Sequence, residues 1–253
     1  MDLSGMRDLA VSLAKEAGEL AVAEAATVEA VPKGATGDVV THVDHEAERR
    51  IIAGILAAYP DHCVLGEESG QHGDPGAEYR WLVDPLDGTN NYVLGIGSYG
   101  VCITACRGEQ PAVAVVHDSV GRHSYAAVTG SGATRDAVPI SMASPGPLIR
   151  ETVSWLQGYG VSRDDPFRRR TFDRLERSCR RVLRTWSPSI DWGLVATGKV
   201  AGLVAYRNEA WDLLGGALVA CEAGAQMRTS GDGDVVLVAH PTVIDELAEL
   251  IDG

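Results

Sequence analysis

Two hydrophobic periods divide this chain. Leu9, Leu13, Ala17, Leu20, Ala21 and Ala25 recur every three to four positions, which predicts an amphipathic helix over residues 6–26. Ala47, Ile51, Ile52, Ile55 and Leu56 repeat the pattern and predict a second helix over 44–59, stopped by Pro60. Asp44 stands at the head of that helix, where an N-cap is expected. Between the two helices a polar loop carries Lys33 and Asp38. The period then shortens. Val64-Leu65 and Trp81-Leu82-Val83 are apolar runs of strand length, and 99–105, 112–117 and His123–Val128 are further β-rich segments divided by glycine-containing turns. Residues 145–165 open on Pro and Gly and predict a connection between an N-terminal lobe (1–145) and a C-terminal lobe (146–253) of one compact unit. Beyond it come a basic helix at 168–181 with a solvated face, the segment 194–205, an Ala/Gly-rich helix at 212–222, a strand at Val235–Ala239 and a last helix at 241–251.

Carboxylates stand where several of these apolar runs end. Gly66-Glu67-Glu68 follows the first, and Asp84-Pro85-Leu86-Asp87-Gly88-Thr89-Asn90-Asn91 follows the second. Trp211-Asp212 opens the Ala/Gly-rich helix. Asp-Pro and Asp-Gly are also common turn dipeptides, and an Asp at a helix start is commonly a cap. Hard oxygen ligands beside the free amides of a glycine turn can nevertheless hold a divalent cation and a phosphate together.

Composition narrows the possibilities. A hydrophobic content of 45% over 253 residues, with mean hydropathy near zero, is that of an ordinary globular protein. The polar N-terminus lacks a signal-peptide pattern, and the longest clear apolar run, 51–59, is half of what a membrane span needs. A cytoplasmic protein is expected. A net charge of −13 argues against nucleic acid polymers and acidic membrane surfaces as partners. The five cysteines form no CxxC pair and no zinc spacing with histidine, so all five are expected reduced and mostly buried.

Taken in order, Lys33, Asp38, Thr41 and Asp44, then Gly66-Glu67-Glu68, then Asp84-Pro-x-Asp87-Gly-Thr89, then Trp211-Asp212, this chain resembles the inositol monophosphatase family along nearly its whole length. The resemblance implies an α/β (α+β) fold layered α-β-α-β-α, with the site between the lobes. It implies a magnesium-dependent, lithium-sensitive phosphatase of small phosphomonoesters, working as a homodimer with two or three Mg²⁺ per site. The first ion would rest on Glu67, Asp84 and the backbone carbonyl of Leu86. The second would rest on Asp84, Asp87 and Asp212, and a third on Glu67 and waters. The attacking water would lie between Glu67 and the Thr89 hydroxyl, oriented by Asp44. Asp87, Gly88, Thr89 and Asp212 would contact substrate, with phosphate oxygens on the Gly88 and Thr89 amides. Lys33 and Asp38 would belong to a loop closing on the substrate, Thr41 would belong to that loop or stand behind the ligands, and Glu68 would be solvated or stand behind the ligands. Bound Mg²⁺ would reconcile an acidic protein with an anionic substrate. His42 and His45 are read as structural, and Trp211 as packing behind the ligand.

The substrate end departs from the inositol pattern. Arg184 is followed by Thr185-Trp186-Ser187-Pro188-Ser189-Ile190-Asp191-Trp192 where Gly-Thr-Ala is expected, and Ala205 stands where a Glu would bind inositol hydroxyls. Arg207 and Trp192 are the replacement pocket residues expected here. The substrate is therefore read as an inositol phosphate or a related sugar, polyol, histidinol or nucleoside phosphate. The rival reading is a catalytically inactive metal- or phosphate-binding regulatory protein of the same fold.

Overall fold

A computed structural model describes residues 2–26, 28–33 and 37–252. Gly34, Ala35 and Thr36 of the first motif lie outside the described residues. In chain order the elements are α1 (Leu3–Glu24), β1 (Ala30–Lys33), β2 (Asp38–Thr41), α2 (His42–Ala58), β3 (Cys63–Gly66), β4 (Gly70–His72), β5 (Tyr79–Asp87), α3 (Thr89–Leu94) and β6 (Gly100–Arg107). Four strands follow, β7 (Gln110–Asp118), β8 (His123–Val128), β9 (Ala133–Arg135) and β10 (Val138–Ile140). After a 3₁₀ turn at Leu148–Arg150 come β11 (Thr152–Gln157), α4 (Pro166–Ser178), β12 (Arg181–Leu183), α5 (Pro188–Ala196) and β13 (Gly202–Tyr206). The chain closes with α6 (Ala210–Glu222), β14 (Gln226–Thr229), β15 (Val235–Ala239) and α7 (Ile244–Asp252).

Five layers result, as the resemblance implies. An eight-stranded sheet runs β10-β9-β8-β7-β6-β5-β3-β4, antiparallel except where β3 lies parallel to β5. Met6, Ala10, Leu13 and Ala17 of α1 and Ala47, Ile51 and Ile55 of α2 cover one of its faces. Its other face carries Cys102, Ala114, Val116 and Tyr125, which meet Trp192 and Val195 of α5 and Ala217 to Ala220 of α6. The far side of those helices rests on a second sheet, ordered β12-β11-β13-β15-β14, through Leu156, Leu203, Ala205 and Val238. Leu175 of α4 and Leu247 of α7 seal the last face. Burying each helix stripe and both faces of the central layers removes apolar area from water at about 25 cal/mol per Å².

Three local expectations are corrected. Lys33 and Asp38 do not stand in an irregular loop; they face each other across the antiparallel β1–β2 pair. Both strands are four residues long, too short for alternation to declare them. The 145–165 connection contains β11, an inner strand with parallel neighbours on both sides. Its Val153, Ser154, Trp155 and Leu156 are all buried, so it shows no polar alternation. Asp44 is not the N-cap of α2: Thr41 is, and Asp44 stands at N3 as the reciprocal half of a capping box. All five cysteines are free, and four of them are buried. No described helix is long and apolar enough to cross a membrane.

Candidate active site

β5 delivers two of the carboxylates. In a regular strand, residues three apart point to opposite faces. Here Asp84 pairs with Cys102 and Asp87 with Gly100, so β5 has one residue more than β6 across this interval. Pro85 lies inside that bulge, where its missing N–H costs no ladder bond. The extra residue turns Asp87 back toward Asp84. A carboxylate oxygen from each, with one from Asp212, falls in a group whose members lie within 4.8 Å of one another.

Glu67 arrives from the neighbouring parallel strand. Its N–H donates to Val83 O at 3.1 Å, fixing the exit of β3 beside that of β5. The turn is held from beneath by Glu48 of α2, which is 2% exposed and accepts from the Glu68 and Ser69 amides at 2.9 and 2.8 Å. Glu48 did not stand out in the sequence because it sits on an otherwise ordinary helix face. Lys33 Nζ donates to both Glu67 Oε1 and Glu68 Oε1 at 2.8 Å. The Glu68 side chain is 6% exposed, so it is not solvated; it stands behind Glu67 and shares its lysine.

The Gly88 turn supplies the next elements. Gly88 has φ +82 and caps the six-residue α3; a Cβ there would also come within 3.0 Å of Ser187 and the Ser98 carbonyl. Only glycine meets both conditions. Thr89 Oγ lies 2.9 Å from Asp44 Oδ1 and equally from Leu86 O, with one proton to give. Asp44 Oδ2 accepts from the Thr41 amide at 2.8 Å and from its hydroxyl, so Thr41 fixes the carboxylate that faces Thr89.

Asp212 lies in the first turn of α6, with Ala210 and Trp211 before it. That helix can sit deep in the molecule because Gly216 leaves room for Trp192, whose ring a Cβ there would strike. Trp192 Nε1 in turn donates to Asp212 O at 2.7 Å. Helix α5 also reaches Asp87: the Ser187 hydroxyl and the Ser189 amide donate to Oδ2 at 2.8 and 2.6 Å. Ser187 is the N-cap residue of α5, but its hydroxyl is spent on Asp87 rather than on its own helix. Ser-Pro at a helix start is legible in sequence; the diversion of the hydroxyl across a hundred residues is not.

Burial dominates the electrostatics. It drives Asp84 well above the usual carboxylate range, helped by repulsion from Glu67, Asp87 and Asp212. Asp212 is raised for the same reason, first by burial and then by Asp87 and Glu67. Burial lifts Asp87 to about 6 although Ser187 and Ser189 stabilise its charge. It lifts Glu67 to about 7 against the pull of Lys33. Burial lowers Lys33, but Glu67 and Glu68 outweigh it and hold the ammonium above its ordinary range. Carboxylates crowded and buried in this way fit a hard divalent cation with oxygen ligands, such as Mg²⁺, which needs only a few of them.

A cavity of about 430 Å³ opens over this group. Glu67, Asp84, Leu86, Asp87, Gly88, Thr89 and Asp212 line it, together with Lys33 and Asp38. Trp211 lines it beside Asp212, as expected, whereas His42 and His45 are exposed elsewhere. Of the two replacement pocket residues, Arg207 lines the cavity and Trp192 does not, being wholly buried in the core between α5 and α6. Ala205 is buried in β13 and offers nothing to the cavity. The segment from Arg184 to Trp192, read from sequence as the substrate end, brings Arg184 and Trp186 to a wall of the same cavity; Gln157 and Tyr159, which complete that wall, were missed. The departure after Arg184 was the signal for part of it; Tyr159 gave none.

The model of the inositol monophosphatase family matches residues 2–250. Among curated relatives, the Nus factor SuhB of Escherichia coli K12 is 31% identical over 229 residues, covering 87% of this chain and 83% of that protein. The Nus factor SuhB of Vibrio cholerae is 30% identical over 231 residues with the same coverage. Among solved structures, Mycobacterium tuberculosis SuhB is 29% identical with a TM-score of 0.83, covering 98% of this chain and 96% of that one. The extragenic suppressor protein suhB of Bartonella henselae shares the fold at a TM-score of 0.90 and 21% identity, with 98% of each chain covered. A family model that spans the chain, on a fold in which the motif carboxylates meet over one cavity, places this protein in the inositol monophosphatase family.

Proposed function

We propose that this chain is a Mg²⁺-dependent phosphatase that hydrolyses a small phosphomonoester by in-line attack of water. The observation that carries this reading is the convergence of Asp84, Asp87 and Asp212, with Glu67 and the Thr89–Asp44 pair lining or backing the same cavity. Glu67, Asp84 and the Leu86 carbonyl would hold one Mg²⁺; Asp84, Asp87 and Asp212 would hold another; a third would use Glu67. When bound, Mg²⁺ supplies the charge that activates water and neutralises the leaving oxygen. Asp44 holds the Thr89 hydroxyl so that its oxygen can accept from the attacking water, and Glu67 takes the other side of that water. The Gly88 and Thr89 amides receive phosphate oxygens, and Asp87 and Asp212 contact the substrate. Such positioning and charge neutralisation account for most of phosphoryl-transfer catalysis.

Two of the relatives carry the name Nus factor, and the second reading is a catalytically inactive metal- or phosphate-binding regulatory protein of the same fold. Phosphate release from a panel of phosphomonoesters separates the two. Hydrolysis that appears with Mg²⁺ and disappears on chelation is expected; no hydrolysis of any member would leave the regulatory reading. In the same assay excess Li⁺ is expected to slow turnover at saturating Mg²⁺. Light scattering is expected to give twice the 26.7 kDa chain mass.

A further inference from the structure

One wall of the cavity, with Gln157, Tyr159, Arg184 and Trp186, lies outside the carboxylate group of Asp84, Asp87 and Asp212. Gln157 at the end of β11 accepts at Oε1 from Arg168 Nε at 2.8 Å, from Trp155 Nε1 at 3.1 Å and from an Arg184 terminal nitrogen at 3.3 Å. Two guanidiniums and an indole thus converge on one neutral oxygen, which has only two lone pairs. Among the described residues no carboxylate oxygen lies within 4 Å of either guanidinium. Asp165, near Arg168 in sequence, is used otherwise: it accepts from the Arg168 backbone amide at 2.8 Å to cap α4, and it lies 3.9 Å from Arg207. Arg207 itself is neutralised by Asp234 at 2.6 Å. Arg184 is therefore the half-buried cation of this cavity left without a counter-charge, and both burial and Arg168 pull its pKa down.

Arg184 is also braced. Its guanidinium carbon lies 4.7 Å over the Trp186 ring and 5.5 Å over Phe172. Trp186 is held at φ +58, a conformation side-chain-bearing residues rarely adopt. Between the two, the Thr185 carbonyl accepts from Asn91 Nδ2 at 2.7 Å. Asn91 lies in α3, two residues after Thr89, so the helix that presents the phosphate turn also fixes the Arg184 segment. Tyr159 is tied to the same turn by Asn90, whose Nδ2 donates to its hydroxyl at 3.2 Å. Backbone strain persists where surrounding contacts over-determine it, commonly at a ligand site.

We propose that Arg184, with Arg168 beside it, recognises a second anionic group, a phosphate or a carboxylate, on the alcohol half of the phosphomonoester. The proposal rests on the phosphatase reading and names its substrate class. A guanidinium matches either anion with its planar fork of donors. Among the described residues that line this wall none is a buried acid; Glu209, beside Arg207 at its edge, is exposed.

Matched pairs test it in Mg²⁺ at fixed ionic strength. Adenosine 3′,5′-bisphosphate against adenosine 3′-phosphate reads the phosphate arm, and 2-phosphoglycerate against glycerol 2-phosphate the carboxylate arm. In at least one arm the second anion is expected to raise kcat/KM about tenfold or more, the scale of one charge-assisted contact. Arg184→Met should bring that ratio near one. Calorimetry with 3-phosphonopropionate and propylphosphonate reads the same preference without turnover. Ratios near one in both arms and equal phosphonate affinities overturn the proposal, as does a preference that survives Arg184→Met. Should that variant not fold, the wild-type ratios still decide. If nothing is hydrolysed but the phosphonate preference stands, the phosphatase reading fails and the anion wall remains.

Discussion

The carboxylate floor of the cavity and its arginine-bearing wall carry opposite charge and are built from different parts of the fold. The floor hangs on the exits of β3 and β5 and the first turn of α6, elements packed on both sides. Its unfavourable feature is crowded negative charge, which a bound cation removes. The wall is assembled from the segments after β11 and β12, with Trp186 in a left-handed conformation and Arg184 held by a neutral amide. Its unfavourable feature is unpaired positive charge, which only an anion removes. The floor is specified by rigid geometry and the wall by long-range contacts, so mutations should separate stability, turnover and preference.

The largest effect is expected at Trp192, which tests where the core ends and the pocket begins. The side chain is fully buried, packs on Gly216 and holds the Asp212 carbonyl. Trp192→Ala should cost about 3–5 kcal/mol of stability. The ranking of substrates should stay as it is. Denaturant unfolding beside the substrate panel checks both; a changed ranking with intact stability would return Trp192 to the pocket.

Asp84→Asn tests the floor itself. It keeps the shape of the bulge while replacing a buried carboxylate whose charge Glu67, Asp87 and Asp212 disfavour. Turnover should fall roughly 10²–10³-fold, equivalent to about 3–4 kcal/mol of barrier. The metal-free protein should become more stable, because one of several repelling charges is gone. Mg²⁺ titrations of kcat and thermal unfolding in chelator read the two effects, and a variant with normal kcat and normal Mg²⁺ dependence would sink the metal assignment.

These two predictions follow the line along which the sequence was legible. Glu67, Asp84 and Asp87 could be singled out because they follow apolar runs of strand length, and Asp212 because it opens an Ala/Gly-rich helix. Hydrophobic periods gave the individual helices and strands; their layering followed from the family likeness. What stayed hidden depends on contacts between distant segments. Ser187 and Ser189 reach Asp87 across a hundred residues, and Glu48 supports a turn in the next element. β11 escaped notice because a strand buried on both faces has no alternation. Trp192 and Trp186 are six residues apart in one segment, and sequence could not tell that one is core and the other cavity wall.

Asp191 lies where floor and wall share α5. It is fully buried, it accepts from Thr185 Oγ at 2.6 Å, and burial lifts it to about 7. Below pH ~4 the carboxyl is protonated in both folded and unfolded chains and has no effect on stability. As pH rises toward 7 the unfolded chain ionises first, so its proton is bound more tightly in the folded state and stability falls. The loss is on the order of 4 kcal/mol by pH 8. Asp191→Asn should therefore stabilise the protein at pH 8 and not at pH 4. Unfolding curves at the two values check this, and equal effects at both would show that Asp191 is ionised throughout.

The smallest effect is expected at Trp186. Its φ of +58 is costly for any residue with a Cβ, by about 1–2 kcal/mol. Its contact with Arg184 returns roughly 0.5–1 kcal/mol at a site 41% exposed, and the Tyr159 ring at 6.1 Å adds little. Trp186→Gly relieves the strain and loses the contacts together, so stability should move by less than about 1 kcal/mol in either direction. Arg184 would lose its brace while keeping its charge. KM for a substrate with a second anion should then rise several-fold, since a guanidinium free to move must be ordered again on binding. A glycine here that left KM unchanged would mean that Gln157 and Phe172 suffice to place Arg184, and that the strained tryptophan shapes the cavity mouth rather than the anion contact.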